Sequence, residues 1–415
     1  MYFKKLKLRQ WQQFHSINID FHEKLTVVTG ANGSGKTTIL NLFAQHFGWH
    51  SYPLSTPKED LSTGEIKYCS RFVNGEDLSH SVNIGSITYS NDLNSQLNIS
   101  NSKSAEYQIQ IQGLQNLNCF YIPSHRSKFK YQQLTSIPTA KKDKMTAFNE
   151  VSKLHQNFHS GHSVSTSTSY IMKSTLISWA INGYGIKNNN KVIMPKDAEQ
   201  VNYFEGYQEV LRKTLPDTLG FEEIAIRGME IVFVCNGGSN EFLLETASGG
   251  ISAILDITWQ IFMYSTKNNS GFTVIIDEVE NHLHPTIQRS ILQKLIIAFP
   301  KARFIVSTHS PLVVGSVKES YIYALAYNSD NKVYSKKLDF LGEAKTASEV
   351  LDEVLGVSFT MPIWVEDNLK KIIEEYSRKA ITKEEMSKLR EELSAIGLEK
   401  LIPYAIQCIA EALDD

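Results

Sequence analysis

Residues Gly30-Ala31-Asn32-Gly33-Ser34-Gly35-Lys36-Thr37 fit the pattern G-x-x-x-x-G-K-[ST] in full, with Thr38 next in line. In such a run the glycines let backbone N–H groups curl round a phosphate at a helix N-terminus. The lysine reaches the β- and γ-phosphates, and the threonine hydroxyl ligates Mg²⁺. Lys36 and Thr37 take those two places here. A second cluster closes an apolar run: Phe272-Thr273-Val274-Ile275-Ile276 ends in Asp277 and Glu278. Asp277 is placed to hold the Mg²⁺, directly or through water, and Glu278 to orient or deprotonate an attacking water. An acidic pair at a strand end can also be a plain solvated turn; a phosphate loop in the same chain favours the chemical reading. Third, Ala247-Ser248-Gly249-Gly250-Ile251 precedes Ser252-Ala253-Ile254-Leu255-Asp256, a good helix opening. Its turn offers a second phosphate-binding helix N-terminus, against the bland alternative of a glycine turn. Finally, Ser307-Thr308-His309-Ser310 follows another buried-looking run, with His309 lying 32 residues beyond Asp277.

These residues need rigid elements beneath them. Leu25-Thr26-Val27-Val28 is short, apolar and β-branched; it breaks at Gly30, and helix formers resume from Thr37 through Phe47. That reads as strand, turn and helix. The runs Phe272 to Ile276 and Phe304 to Val306 enclose a helical stretch, Ile287 to Ala298, which implies a parallel sheet covered on both faces. Between 81 and 112 apolar and polar residues alternate, as in Tyr107-Gln108-Ile109-Gln110-Ile111-Gln112, predicting an antiparallel sheet with one wet face. Cys119 to Pro123 reads as a buried strand ending in Ser124-His125-Arg126. From 126 to about 215 the pattern is helical and reads as an insertion, interrupted at Ser163 to Ser169 and at Asn188-Asn189-Asn190. Strand texture returns at Glu230 to Val234 and Glu241 to Leu244, around the turn Asn236-Gly237-Gly238. Two helices with three- and four-residue apolar spacing follow, Glu366 to Arg378 and Lys383 to Ile396, the second opened by Thr382 and Glu385 as a capping box.

Composition narrows the class. The chain has 415 residues, 42% hydrophobic and 21% charged, enough to bury a core. No apolar run approaches a membrane span, and no apolar segment follows Lys4, Lys5 and Lys7 to make a leader. Forty-two basic against 44 acidic side chains give a net charge of −2, so bulk charge does not announce a nucleic-acid binder. Cysteines at 69, 119, 235 and 408 form no C-x-x-C pair, arguing against a disulfide framework or zinc knuckle. A cytoplasmic location is expected. Locally, Arg126, Lys128, Lys130, Lys141, Lys142 and Lys144 against Asp143, with Phe129 and Tyr131 between them, make a stretch of local charge +5. It is either a solvated loop or a surface that tracks a nucleic-acid backbone. His282 with His284, and His155, His159 and His162, are spaced for metal binding but lack a further ligand in sequence.

The order of these motifs resembles that of ABC-type ATPases of the SMC- and RecF-like group: an α/β P-loop NTPase with an antiparallel β-lobe, a helical insertion and a C-terminal helical appendix. The resemblance implies an ATPase domain over 1–343 and a helical domain over 344–415 for oligomerisation or partner docking. It implies that Ser248, Gly249 and Gly250 form the signature motif, contacting the γ-phosphate held by the phosphate loop of a second copy, so that the site exists only in a dimer. It also makes His309 the switch histidine, catalytic with Glu278 and Lys36. Gly30 to Thr38 then cradle ATP, and Thr37 and Asp277 hold Mg²⁺. Trp11 and Phe14 lie in a stretch similar to the first strands of that group, where aromatics either touch adenine or pack in the core. The glutamine that senses Mg²⁺ in the family is replaced at its usual place by Ser124-His125-Arg126, with Gln132 and Gln133 nearest beyond. The role is unassigned.

Gly35 and Ser248 are 213 residues apart, without sustained heptads or a C-x-x-C hook. This excludes long SMC arms and a zinc-hook repair ATPase. Glu280-Asn281-His282-Leu283-His284-Pro285 is typical of the RecF-like and OLD-like branch. Trp364-Val365-Glu366-Asp367 is faintly similar to the start of a TOPRIM nuclease domain, but 48 residues follow Asp367 with no strand ending in D-x-D, so any nuclease is a separate chain. With the stretch Ala347 to Val357, the whole resembles RecF/OLD-like ATPases of anti-phage defence operons. Within that group it resembles the ATPases of the two-gene PARIS system and, next, those of Septu. The resemblance implies a homo-oligomeric sensor that holds a TOPRIM-type effector nuclease, or an HNH nuclease in the Septu case, and releases or activates it on a phage-encoded trigger. A DNA-repair or recombination ATPase that clamps DNA through 126–144 is the alternative, and an ATP-gated scaffold with negligible turnover a third.

Overall fold

Strands whose side chains are apolar on both faces gather in one half of an eleven-stranded mixed sheet, and strands that alternate gather in the other. The computed structural model describes residues 1–50, 52–59, 63–69, 82–99, 105–126, 128–159, 161, 165–189, 191–265, 271–338, 363–378 and 382–414. They divide into two units, Met1–Val350 and Leu351–Asp415. In the first, Leu25–Gly30, Phe272–Ile276 and Cys119–Ile122 are buried at every position. Ala302–Thr308 lies between the first two, and all four run parallel. Parallel strands need covered faces, which is why these runs lack polar alternation.

Register puts the chemistry at one edge. Thr308 pairs with Thr29, and Ile276 with both Val306 and Ile122. The phosphate loop, the Asp277-Glu278 turn, His309 and Ser124 therefore all leave the sheet at its carboxyl ends, where open α/β sheets place their ligands.

The antiparallel half starts with the hairpin Phe3–Trp11 and Phe14–Asp20 and extends through Val82–Tyr89, Asn94–Ile99 and Ile109–Gln112. Alternation is clear in Phe3–Trp11, whose buried residues are Phe3, Leu6, Leu8 and Trp11. The pair Tyr321–Tyr327 and Val333–Leu338 joins the halves: the first lies parallel to Leu25–Gly30, the second parallel to Phe14–Asp20. The antiparallel region that the alternation predicts is thus continuous with the parallel one.

The segment from 126 to 215 contains helices Lys144–His159, Thr168–Tyr184 and Ala198–Thr214, with a short hairpin of Ile186–Asn188 and Lys191–Met194. They close around the helix Gly249–Tyr264. Trp259 on that helix sits 5.6 Å from Trp179 and 4.9 Å from Tyr207, ring to ring, and all three are fully buried. The expected insertion is therefore part of the core that positions the Ser248 turn. A three-stranded antiparallel sheet of Phe221–Arg227, Glu230–Cys235 and Asn240–Leu243 leads into that turn through a single 3₁₀ turn, Leu244–Thr246. Lys173, fully buried, ties the layers by ion pairs to Glu230 and Glu245 and a hydrogen bond to the Gln132 carbonyl.

The second unit has helices Ile363–Ser377, Lys383–Ala395 and Ile402–Asp414, close to the two predicted and with a third the periodicity did not single out. Leu369, Tyr376, Leu389, Leu393, Ala405 and Ile409 form its core. Thr382 Oγ1 accepts the Glu385 N–H at 3.2 Å, so the expected cap is in place. The stretch Ala347 to Val357 lies outside the described residues. No helix among the described residues is long and apolar enough to cross a membrane.

Candidate nucleotide site

The phosphate loop bends because three of its residues are glycine with positive φ: Gly30 at 147°, Gly33 at 81° and Gly35 at 93°. Gly35 is also pressed against the first hairpin. A Cβ there would come within 2.4 Å of Phe14 Cζ and 2.5 Å of Gln13 Nε2. Gly35→Ala is therefore expected to destabilise the chain by about 1–3 kcal/mol and to abolish nucleotide binding, checked by thermal melting and ATP titration. Phe14 and Trp11 are each 1% exposed, and the Trp11 indole donates to Tyr107 Oη at 2.9 Å. Of the two readings offered for these aromatics, core packing is the one the structure displays.

Lys36 opens the helix Lys36–Asn41. Its Nζ donates to the carbonyls of Gly30 at 2.9 Å and Ala31 at 3.0 Å, closing the loop on itself. Burial pushes the ammonium down to about 8, opposed by Glu278, Asp277 and Glu280. Thr37, exposed at the loop rim, donates its hydroxyl to Asp277 Oδ2 at 2.8 Å. A hydroxyl and a carboxylate side by side are hard oxygen donors of the kind Mg²⁺ prefers. The buried Ser34 Oγ has no hydrogen-bond partner among the described residues. A curled loop, an orphaned hydroxyl and a charged lysine fit a bound triphosphate with its Mg²⁺.

Asp277, 1% exposed, is fixed from three sides: Thr37, Ser307 Oγ at 2.5 Å to Oδ1, and Tyr121 Oη at 3.3 Å to Oδ2. Burial and the Asp277 charge hold the Tyr121 phenol well above its ordinary value, so it stays a donor. Glu278, partly exposed, lies next along the turn. Its Oε2 accepts from Asn281 Nδ2 at 2.8 Å, and its Oε1 is 3.4 Å from His309 Nε2. His309 is itself oriented by its backbone N–H, which donates to Glu280. The sequence pointed to Asp277, Glu278 and His309; it passed over Tyr121, Ser307 and Asn281. Pairing of Tyr121 with Ile275 in the parallel register is the signal that would have found the first.

Ser248 and Gly249 are exposed at the start of the helix Gly249–Tyr264, and the Ser248 hydroxyl makes no capping bond. Gly250 packs beneath, where a Cβ would stand 3.2 Å from the His282 carbonyl. Gln132 is engaged elsewhere, with Ser165 and Ser167 of the helical layer. Within the basic stretch Arg126 is buried, Lys141 pairs with Asp197 and Lys142 with Glu150, and Lys144 lies 3.7 Å over the Phe262 ring while donating to the Ser265 carbonyl; Lys128, Lys130 and Lys141 are exposed. No group of three or more metal-ligating side chains occurs among the described residues. His155 instead faces Asp256 in the core at 3.5 Å, and His284 caps the turn Pro285–Gln288.

Comparison with known proteins bears on this geometry directly. An AAA domain model matches residues 5–213, half of the chain. The chain belongs to the AAA domain family of ATPases. A second AAA domain model, described for a type IV toxin–antitoxin system, matches 184–315 of this AAA domain chain. The Septu protein PtuA of Bacillus thuringiensis is 24% identical over 400 residues, covering 90% of this chain and 92% of that protein. A protein of Vibrio cholerae serotype O1 biovar El Tor described as "Retron Vc95 probable ATPase" is 53% identical over 49 residues, 12% of this AAA domain chain and 10% of its own length. Among solved structures, an SMC head bound to the C-terminal winged-helix domain of ScpA aligns at 13% identity with a TM-score of 0.45, covering 83% of this chain and 100% of that one.

Proposed function

We propose that the chain is a Mg²⁺-dependent, ATP-hydrolysing subunit of a bacterial anti-phage defence system. The observation that carries the reading is the Thr37 to Asp277 contact of 2.8 Å, with Glu278 and His309 meeting beside it at 3.4 Å. Mg²⁺ held by Thr37 and Asp277 would neutralise charge on the transferring phosphoryl group. Lys36 binds the β- and γ-phosphates, Gly30 to Thr38 wrap them with backbone N–H groups, and Glu278 takes the proton of the attacking water. His309 donates to the γ-phosphate. Ser248, Gly249 and Gly250 complete the site of a second copy, since an exposed serine at a helix N-terminus is free to meet a phosphate.

Likeness to the Septu protein PtuA over 90% of the chain, and to retron ATPases over shorter stretches, supports defence as the setting. It also favours the Septu type over PARIS. The partner is then a separate effector nuclease, HNH-type rather than TOPRIM-type, and the trigger a phage-encoded protein. DNA clamping through 126–144 loses its main support, because most of those cations already have partners in the fold.

The helical unit after Val350 is assigned to assembly or effector docking. A chain truncated after Val350 is expected to bind Mg²⁺-ATP within about threefold of the full-length affinity, while co-purification with its effector is lost. Phosphate release and pull-down together test both parts. Loss of ATP binding on truncation would place the unit within the nucleotide core, and absence of phosphate release from the full chain would contradict hydrolysis.

A further inference from the structure

Arg126 is 8% exposed, and its guanidinium is spread over the backbone of the turn that carries the carboxylates. Nη1 donates to the Asn281 carbonyl at 3.3 Å; Nη2 donates to those of Asp277 at 3.4 Å and Glu278 at 3.1 Å. Asn281 completes the grip from the other side, its Nδ2 donating to Glu278 Oε2 at 2.8 Å and to the Ser124 carbonyl at 3.1 Å. The strand end Ser124 to Arg126 thus holds residues 277–281 at several points.

That turn needs holding. Glu278 sits at φ 47°, in the left-handed region that a side chain with a Cβ occupies only under constraint. Its N–H is taken by Ser307 Oγ at 2.8 Å and its carbonyl by Arg126. With Lys128, Phe129, Gly249, Ser252, Asp256 and His282, Arg126 also lines a cleft of about 250 Å³ beside the helix Gly249–Tyr264. Asp256, on that helix, is 1% exposed; its Oδ1 faces His155 Nε2 at 3.5 Å and has no hydrogen-bond partner among the described residues. A planar fork can reach the three carbonyls of Asp277, Glu278 and Asn281 at once; a lysine ammonium in the same place cannot span them.

We infer that Arg126 is a positioning residue for Glu278, fixing the turn 277–281 that carries it. The inference rests on Glu278 being the base proposed above. Arg126 acts through the backbone it holds.

The test is Arg126→Lys in the full-length protein, read by three measurements. Affinity for a fluorescent ATP analogue is expected within about threefold of the parent, KM within about threefold, and kcat down at least about thirtyfold, because a misplaced base affects the chemical step and not binding. Hydrogen exchange in peptides covering 277–283 is expected to quicken at least about tenfold, with 25–41 unchanged. Turnover within about threefold of the parent overturns the inference. So does faster exchange throughout the chain with loss of ATP binding, which would make Arg126 a general core residue. Should the parent itself show no turnover, the reading of Glu278 as base fails, and the exchange measurement alone still decides whether Arg126 holds the turn.

Discussion

Glu278→Gln is expected to keep ATP and stop its hydrolysis. The amide has the size of the carboxylate and retains an oxygen for the Asn281 side chain, which donates to Oε2 at 2.8 Å in the parent. Lys36, Thr37 and Asp277 are untouched, so affinity for Mg²⁺-ATP stays within a few-fold. What disappears is the proton acceptor. General-base catalysis contributes about 10²–10⁴ in rate, and kcat is expected to fall by at least about 10². Equilibrium binding and single-turnover hydrolysis of the same preparation separate the two effects. Unchanged hydrolysis would remove Glu278 from the role of base, and the nearby His309 would then be examined by the same pair of measurements.

Lys36→Ala is the second large effect, and it falls on binding. In the structure Nζ holds two loop carbonyls, Gly30 and Ala31, at 2.9 and 3.0 Å. The same ammonium is the positive charge placed to exchange those carbonyls for β- and γ-phosphate oxygens. Charge-assisted hydrogen bonds are worth about 1.5–3 kcal/mol each, so losing both is expected to weaken ATP binding by about 10²-fold or more. Calorimetric titration measures it. Parental affinity in the alanine variant would mean that the nucleotide binds elsewhere.

The parallel half of the sheet was legible because burial on both faces leaves a simple record: continuous apolar runs at Leu25, Phe272 and Phe304, each broken by a polar or glycine turn. The loop and the carboxylates were legible because their chemistry admits few residue types. What escaped was cross-chain geometry. Alternation in 81–112 marks strands but not the sheet they join, and the linking strands Tyr321–Tyr327 and Val333–Leu338 are brought to Leu25–Gly30 and Phe14–Asp20 respectively by pairing across some three hundred residues. Whether the basic stretch 126–144 was a solvated loop or a surface for a nucleic-acid backbone was not legible, because a sequence counts charges without their partners. Asp197, Glu150, Phe262 and the carbonyls that Arg126 serves are supplied by the fold. Tyr121 and Ser307 were hidden for the same reason: their value lies in register beside Asp277, not in their own runs.

A site shared between two copies makes a demand that no single-chain mechanism meets. Lys36→Ala removes the phosphate grip and Ser248→Arg blocks the turn offered to the partner; each alone is expected to be inactive. Co-expressed, they pair in part as mixed dimers in which the loop of the Ser248→Arg copy meets the intact turn of the Lys36→Ala copy. Phosphate release from the mixture is then expected to recover to as much as about a quarter of the parental rate per chain, the share of intact half-sites under random two-fold pairing. A mixture no more active than either variant alone would contradict it.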